Sequence, residues 1–210
     1  MQSRARSGSG SQAAHGSGFH TALGCSLGCA RGSWDVAPMQ PIASLVASRQ
    51  DGLLTRTQAL QQLTRDELTA RLGKHWPVVL PGVYLTTQGV PTLRQRRRAA
   101  LLKAGSTAML TDLDALDLYG LPNLPVDPFV RVLIANDVKR TSRDFLVICR
   151  TKRLPQANVV AGLRSAPLAR ALADFVLRHG DERESLAVAA AAVQRRLVSP
   201  CPEVPFSCIT

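Results

Sequence analysis

The sequence predicts an α+β protein: an N-terminal helical unit closed by a β-ribbon, then a small α/β unit. Three observations carry this. Short apolar patterns of helical period occupy residues 39–73 and are punctuated by capping residues. The stretch Trp76–Thr86 holds two short apolar runs around Pro81-Gly82, the pattern of a hairpin. Residues 91–198 mix helical patterns with two strand-like runs, Phe129–Ala135 and Phe145–Thr151. The 38 residues before this are rich in Gly and Ser and show no period, so they are expected to be disordered. Met39 stands where periodicity begins. Residues 1–38 therefore read either as an over-extended gene start or as a flexible arm. Residues 199–210 contain three prolines and no period, and are expected to be a disordered tail.

In the first unit, residues 39–90, Ile42, Leu45 and Val46 share a helical face and Gly52 stops that helix. Thr55 opens a second helix with Gln58 at the capping-box position, and Ala59, Leu60 and Leu63 face inward. Thr64 opens a third with Glu67 at the same offset; Leu68 and Leu72 point inward and Gly73 ends it. Trp76 should anchor the packing between that helix and the ribbon. Three helices followed by a hairpin is the order of a winged helix-turn-helix, in which the third helix enters the major groove and the hairpin lies beside it.

In the second unit, residues 91–198, Thr92 caps a helix carrying Leu93, Ala100, Leu101 and Ala104, which ends at Gly105. Thr111 caps a short helix with Leu113, Leu116 and Tyr119, closed by Gly120. After the two strands, joined by the polar, basic loop Asn136–Asp144, Ser165 is expected to cap a helix from Pro167 to His179. A last helix is expected from about Asp181 to Leu197.

Charge narrows the function. Lys and Arg number 26 against 15 Asp and Glu, a net of +11, so an anionic partner is the first to consider. Aromatics are 4%, which disfavours recognition by base stacking. No run of 18 apolar residues occurs, which excludes a helical membrane span; the most apolar stretch is Leu186–Val193. Five scattered cysteines suit reduced thiols in the cytoplasm rather than a disulfide scaffold.

On the third helix, Leu68 and Leu72 set the buried face, so Asp66, Ala70 and Lys74 face away and Arg65, Thr69 and Arg71 lie on the flanks. The DNA-facing set is Thr64, Arg65, Thr69, Arg71 and Lys74: Arg65 for base edges, Arg71 and Lys74 for phosphates. Asp66 and Glu67 suit the helix dipole but repel phosphate. The run Arg94, Arg96, Arg97, Arg98 reads as a phosphate clamp through Arg94 and Arg98, or as a solvated charge run with Arg97 paired to a carboxylate. Segment 128–163 holds seven basic and two acidic residues, a net of +5, which suits either DNA, an acidic partner, or the polar side of a half-buried strand.

Other clusters carry less. Asp112, Asp114 and Asp117 sit where acids offset a helix dipole, and no accompanying pattern makes them a metal site. His15, His20, Cys25 and Cys29 match no zinc-finger spacing. His75 and His179 read as helix-end residues, and Ser165 has no histidine at a recognisable spacing for nucleophilic catalysis. Arg170 and Asp174, at i and i+4, should pair. No phosphate-loop, dinucleotide-binding or zinc-protease motif is present, so no cofactor and no metal are expected.

The string Asp51-Gly-Leu-Leu-Thr-Arg-Thr-Gln-Ala-Leu60, then Trp76 and Pro81-Gly-Val-Tyr84, resembles the N-terminal domain of AbiEi-type antitoxins of type IV toxin–antitoxin operons. The resemblance continues through Arg98-Ala-Ala-Leu-Leu102, Ala115–Leu121, Arg150–Pro155 and Ala166–Asp174, and so spans about residues 39–196. It implies a winged helix on operator DNA and a second domain linked to antitoxin activity, with a cognate toxin protein as a further expected partner. Two copies on an inverted repeat, a homodimer on DNA, would supply the affinity that one small module lacks. Many relatives carry a further very-short-patch-repair-type endonuclease domain, and this sequence is expected to lack it. Two rival readings follow: the remnant of such a nuclease fusion, or a protein-binding module without DNA affinity. Relatives often place basic residues between the tryptophan and the Pro-Gly. Pro77-Val78-Val79-Leu80 stands there in this chain, so the wing itself brings little charge.

Overall fold

The computed structural model describes residues 41–72, 74–179 and 182–195. The expected arm 1–38, the expected tail 199–210 and the expected helix stop at Gly73 lie outside them. The protein is α+β. Its elements run α1 (Pro41–Arg49), β1 (Leu53–Thr55), α2 (Arg56–Leu60), α3 (Arg65–Arg71), β2 (Val78–Leu80), β3 (Val83–Leu85) and α4 (Leu93–Ala104). Then follow β4 (Met109–Leu110), α5 (Asp112–Leu118), β5 (Val130–Ala135), β6 (Leu146–Thr151), β7 (Asn158–Val160), β8 (Leu163–Ser165), α6 (Leu168–His179) and α7 (Glu182–Gln194).

Local chemistry explains the first elements. Both expected capping boxes form: the Thr55 hydroxyl accepts from Gln58 N at 3.2 Å while Thr55 N donates to Gln58 Oε1 at 2.9 Å. Thr64 and Glu67 repeat the exchange. Thr92 makes a third such box with Gln95 on α4, which ends at Gly105 with φ 119°, a conformation suited to glycine. Among the described side chains of α1, Ala47 is buried and Val46 packs beside it, while Leu45 is exposed. Leu93, the first residue of α4, is likewise exposed.

Strand β1 is an addition to the expected hairpin. Leu53 and Leu54 are both fully buried, and β1 pairs with β3 to give a three-stranded antiparallel sheet of order β1-β3-β2. Asp51 and Gly52, at φ 56° and 83°, turn the chain from α1 into this strand. Gly52 O then accepts from Thr86 N at 2.8 Å, which closes the far end of the sheet.

The second sheet has order β6-β5-β4-β8-β7. Its β5 and β6 are parallel, with Val130 opposite Leu146 and Ala135 opposite Thr151. The connection between them, residues 136–145, therefore crosses back along the strands. Val138 and Phe145 from this connection pack on the core shared by α4 and the sheet. That core is continuous: Leu53, Leu80 and Leu85 of the first sheet, Ala100 and Leu101 of α4, and Val132 and Ile134 of β5 belong to it. A second cluster joins α5, α6 and α7 around Phe175.

Two expected caps are corrected. Thr111 stands at the N-cap position of α5, but its hydroxyl donates to Asp174 on α6 at 2.5 Å and makes no cap bond. Asp112 Oδ1 accepts from Leu113 N instead, at 2.8 Å. Ser165 is the last residue of β8, where its buried hydroxyl has no hydrogen-bond partner. The expected Arg170–Asp174 pair is present at 3.0 Å.

Candidate nucleic-acid interface

Helix α3 follows α2 after a four-residue turn, and Leu63 and Leu68 bury it against α2. Arg65, Asp66, Glu67, Thr69 and Ala70 are all exposed, as the helical face requires. The exposed residues differ in how free they are. The Thr64 hydroxyl both donates to and accepts from Glu67, so capping occupies it. The Thr64 backbone N–H and, after it, the Thr64 hydroxyl donate to the Glu67 carboxylate and hold it below its ordinary pKa, so it stays anionic at the helix start. Thr69 Oγ1 donates to Arg65 O at 2.8 Å. Arg65 in the first turn and Lys74 beyond the helix end are both exposed.

Arg71 departs from expectation. It is 4% exposed, with its guanidinium over the Trp76 ring at 5.7 Å from the centroid. The cause is the way α3 stops. Leu72 is extended, and His75 N and Trp76 N both donate to Arg71 O, at 3.0 and 2.9 Å. The chain folds back and lays Trp76 over the side chain expected on the outer flank. In this position Arg71 joins the core of the helical unit rather than a phosphate-facing surface.

The α4 arginines are also spent internally. Arg94 Nε and Arg98 Nε bond the two oxygens of Asp51, at 2.9 and 3.0 Å, and Arg94 Nη1 donates to Ala161 O at 2.9 Å. They share a face, as the spacing predicted, but that face meets the Asp51 turn. Arg96 lies over the Phe145 ring at 4.5 Å and donates to Pro128 O. Arg97 is buried and paired with Asp114 at 2.9 Å and Asp117 at 2.7 Å. The pairing reading of the run thus holds for Arg97 and extends to Arg94 and Arg98.

Partial burial pulls the Asp51 pKa upward, but the hydrogen bonds from Arg94 and Arg98 outweigh this and leave it lowered. A carboxylate lowered in the native state stabilises it above the unfolded pKa, and that contribution is lost as pH falls through the folded value. Asp51→Asn keeps a residue that tolerates φ 56° while it removes the charge. The expected result is a loss of about 1 kcal/mol or less at neutral pH, as for a partly exposed pair. The difference from the parent should shrink as pH drops below about 4, where the unfolded parent's carboxyl begins to take up its proton, and close only once the folded carboxyl, held lower, is protonated as well. Urea titrations at neutral and acid pH check this, and an unchanged gap at both would refute it.

A group of cations absent from the expected set as a unit gathers on the α4 side of the second sheet. Lys103, Lys139, Arg140 and Arg150, with Thr141, surround a cleft of about 330 Å³ floored by Leu146 and Ile148. Lys103 Nζ donates to Pro81 O at 2.6 Å, in the turn between β2 and β3. Arg150 Nη2 donates to Arg140 O at 2.6 Å. Among the described residues no carboxylate lines the cleft, and none of the four cations has an ion-pair partner. Four cations with no carboxylate beside them create a positive field that a phosphate would neutralise. The sequence signalled three of them as the excess charge of segment 128–163. Lys103 joins only because the crossover connection packs along α4.

Asp112 and Asp114 of the acidic cluster are buried and meet cationic side chains. Asp112 is fully buried at φ 59°, with Arg131 Nε at 3.5 Å, Arg178 Nε at 3.7 Å and His179 Nε2 at 3.4 Å. Burial raises its pKa, and His179 and Arg131 oppose that rise. Asp114 is raised by burial as well, against the bond from Arg97. Among the described residues, no three His, Cys, Asp or Glu side chains are grouped to hold a metal.

No family model and no curated protein matches the chain, so the resemblance to AbiEi-type antitoxins rests on the motifs themselves. No described helix is long and apolar enough to cross a membrane.

Proposed function

We propose that the chain is a cytoplasmic DNA-binding transcriptional regulator, not an enzyme. In this reading residues 41–85 form a winged helix-turn-helix, with α3 as the recognition helix and the β2–β3 ribbon as the wing. The element order helix, strand, two helices, ribbon supports it, as does the sheet order β1-β3-β2. The observation that carries the reading is the Lys103–Pro81 bond, which sets the cation-lined cleft beside the wing turn. The wing is itself apolar, so these cations supply the phosphate-binding charge that it lacks. Arg65 on α3 is the base-reading residue. The motifs that resemble AbiEi-type antitoxins support a narrower role, the antitoxin and autorepressor of a type IV toxin–antitoxin operon. Its partners would be double-stranded operator DNA and a cognate toxin protein.

Fluorescence anisotropy with the upstream intergenic duplex and a random duplex, at several salt concentrations, tests this. Replacing both Arg140 and Arg150 with alanine should weaken binding to both duplexes. It should also flatten the slope of log K against log salt by about 0.9 for each phosphate no longer neutralised. Arg65→Ala should lower operator affinity relative to random duplex by about 1–3 kcal/mol, the worth of a bidentate contact to guanine. An intact protein with no salt-dependent binding to any duplex overturns the reading and favours a protein-binding module.

A further inference from the structure

The cation-lined cleft holds more charge than one phosphodiester neutralises. Lys103, Lys139, Arg140 and Arg150 bring their four cationic groups to about 330 Å³. The hydrogen bonds they make are to backbone carbonyls. Lys103 Nζ donates to Pro81 O, Arg150 Nη2 to Arg140 O, and Arg140 Nη1 to Lys139 O at 3.4 Å. A carbonyl holds a donor in place but leaves its charge uncompensated. An ammonium and a guanidinium each have several donors, so these side chains keep some for a ligand. The frame around them is built by the chain itself. Val138 and Phe145 seat the connection between β5 and β6 on the core. Arg143 and Leu146 exchange two backbone bonds, at 3.0 and 2.8 Å, and Ile148 N donates to Ser142 Oγ at 3.0 Å. The rim carrying Lys139, Arg140 and Thr141 is thus fixed along β6, and a ligand has little left to order.

We propose that the cleft is a regulatory site for a compact polyphosphate, a chain of two or three linked phosphates, either free or carried by a nucleoside. Charge matching singles out this class. A phosphodiester brings one negative charge, whereas two or three linked phosphates bring about three or four in one compact group at neutral pH. The Thr141 hydroxyl adds a neutral donor, and the floor of Leu146 and Ile148 offers an apolar surface to a nucleoside ring. The volume is at the small end of ligand sites, which span about 300–1,000 Å³. A polyphosphate in the cleft uses up the charge that the apolar wing lacks, so the same cations are lost to DNA. The regulatory consequence rests on the DNA-binding reading; the ligand site stands on the cleft alone.

Isothermal titration calorimetry of the full chain with tripolyphosphate, at ionic strength matched with sodium chloride, tests the site without DNA. Tripolyphosphate should bind about tenfold or more tightly than orthophosphate. Lys139→Ala and Arg150→Ala, both at exposed positions, should each weaken it about tenfold. Arg164→Ala removes an exposed arginine on β8, with β4 and β5 between it and β6, and should leave binding unchanged. ATP and adenosine separate the two sources. ATP tighter than tripolyphosphate seats the nucleoside on the floor, ATP no tighter assigns the site to the phosphate chain, and adenosine alone should not bind. Tripolyphosphate that binds no better than orthophosphate, or equally well to the parent and Arg150→Ala, overturns the site. Adenosine that binds as tightly as ATP overturns it too. Anisotropy then reads the regulation: saturating tripolyphosphate should weaken duplex binding about tenfold at matched ionic strength. Duplex binding that saturating ligand does not move overturns the regulatory role. A chain that binds tripolyphosphate but no duplex overturns the DNA-binding reading and leaves the ligand site standing.

Discussion

Trp76→Ala is expected to lower stability by about 3–5 kcal/mol, the cost of a large-to-small change at a buried aromatic. The indole is 5% exposed and packs with Leu54, Leu63, Leu68 and Tyr84, so its removal leaves a cavity where α2, α3 and the first sheet meet. It also uncovers Arg71, whose guanidinium lies over the ring. A domain with about 5–15 kcal/mol in total loses much of its margin through this one change. Urea unfolding followed by far-UV circular dichroism checks it. A variant as stable as the parent would mean that Trp76 does not hold the helical unit together.

Arg97→Ala should also cost about 3–5 kcal/mol, for a different reason: it strands the Asp114 carboxylate in the interior without its partner. Arg97 and Asp114 side chains are 8% and 7% exposed, and Asp114 Oδ2 also accepts from Arg131 N at 3.0 Å. Removing both charges in Arg97→Met/Asp114→Leu should cost less than Arg97→Ala alone, since no buried charge is then left unpaired. The sign of the pH dependence follows from burial, which already raises the Asp114 pKa in the parent. Without Arg97 the folded value rises further. The native state then binds a proton that the unfolded chain has released, so stability falls as pH rises through that window. The Arg97→Ala deficit should therefore narrow in acid. A deficit independent of pH, or a double variant worse than the single, would show that the pair matters through packing and not through charge.

How legible the molecule was depends on how far apart the interacting groups lie in the chain. The capping boxes at Thr55, Thr64 and Thr92 each join residues three apart, and such a pair forms wherever the backbone turns into a helix. The Arg170–Asp174 pair, four apart on one helix, is legible for the same reason. Strands β1, β4, β7 and β8 were not: each is two or three residues long, too short for an alternating pattern to show. Leu53 and Leu54 are buried on both faces of β1, which erases the alternation altogether.

Sequence by itself determined that this is an α+β chain with an excess of basic residues, three short helices before an apolar ribbon, and capped starts for α2, α3 and α4. Those features depend on periodicity, on nearest neighbours along the helix and on composition. Tertiary structure alone decided which cations face outward. Arg94 and Arg98 reach Asp51 across 43 and 47 residues, and Arg97 reaches Asp114 and Asp117 across 17 and 20. Arg71 was drawn into the interior when the chain folded back over it, while Lys103 was brought to Lys139, Arg140 and Arg150 by a crossover between parallel strands. An arginine or lysine side chain is long, flexible and amphipathic, so its own position in the chain says little about where its charge comes to rest. Whatever carboxylate, ring or carbonyl the fold carries within reach settles that, and those partners are set by topology.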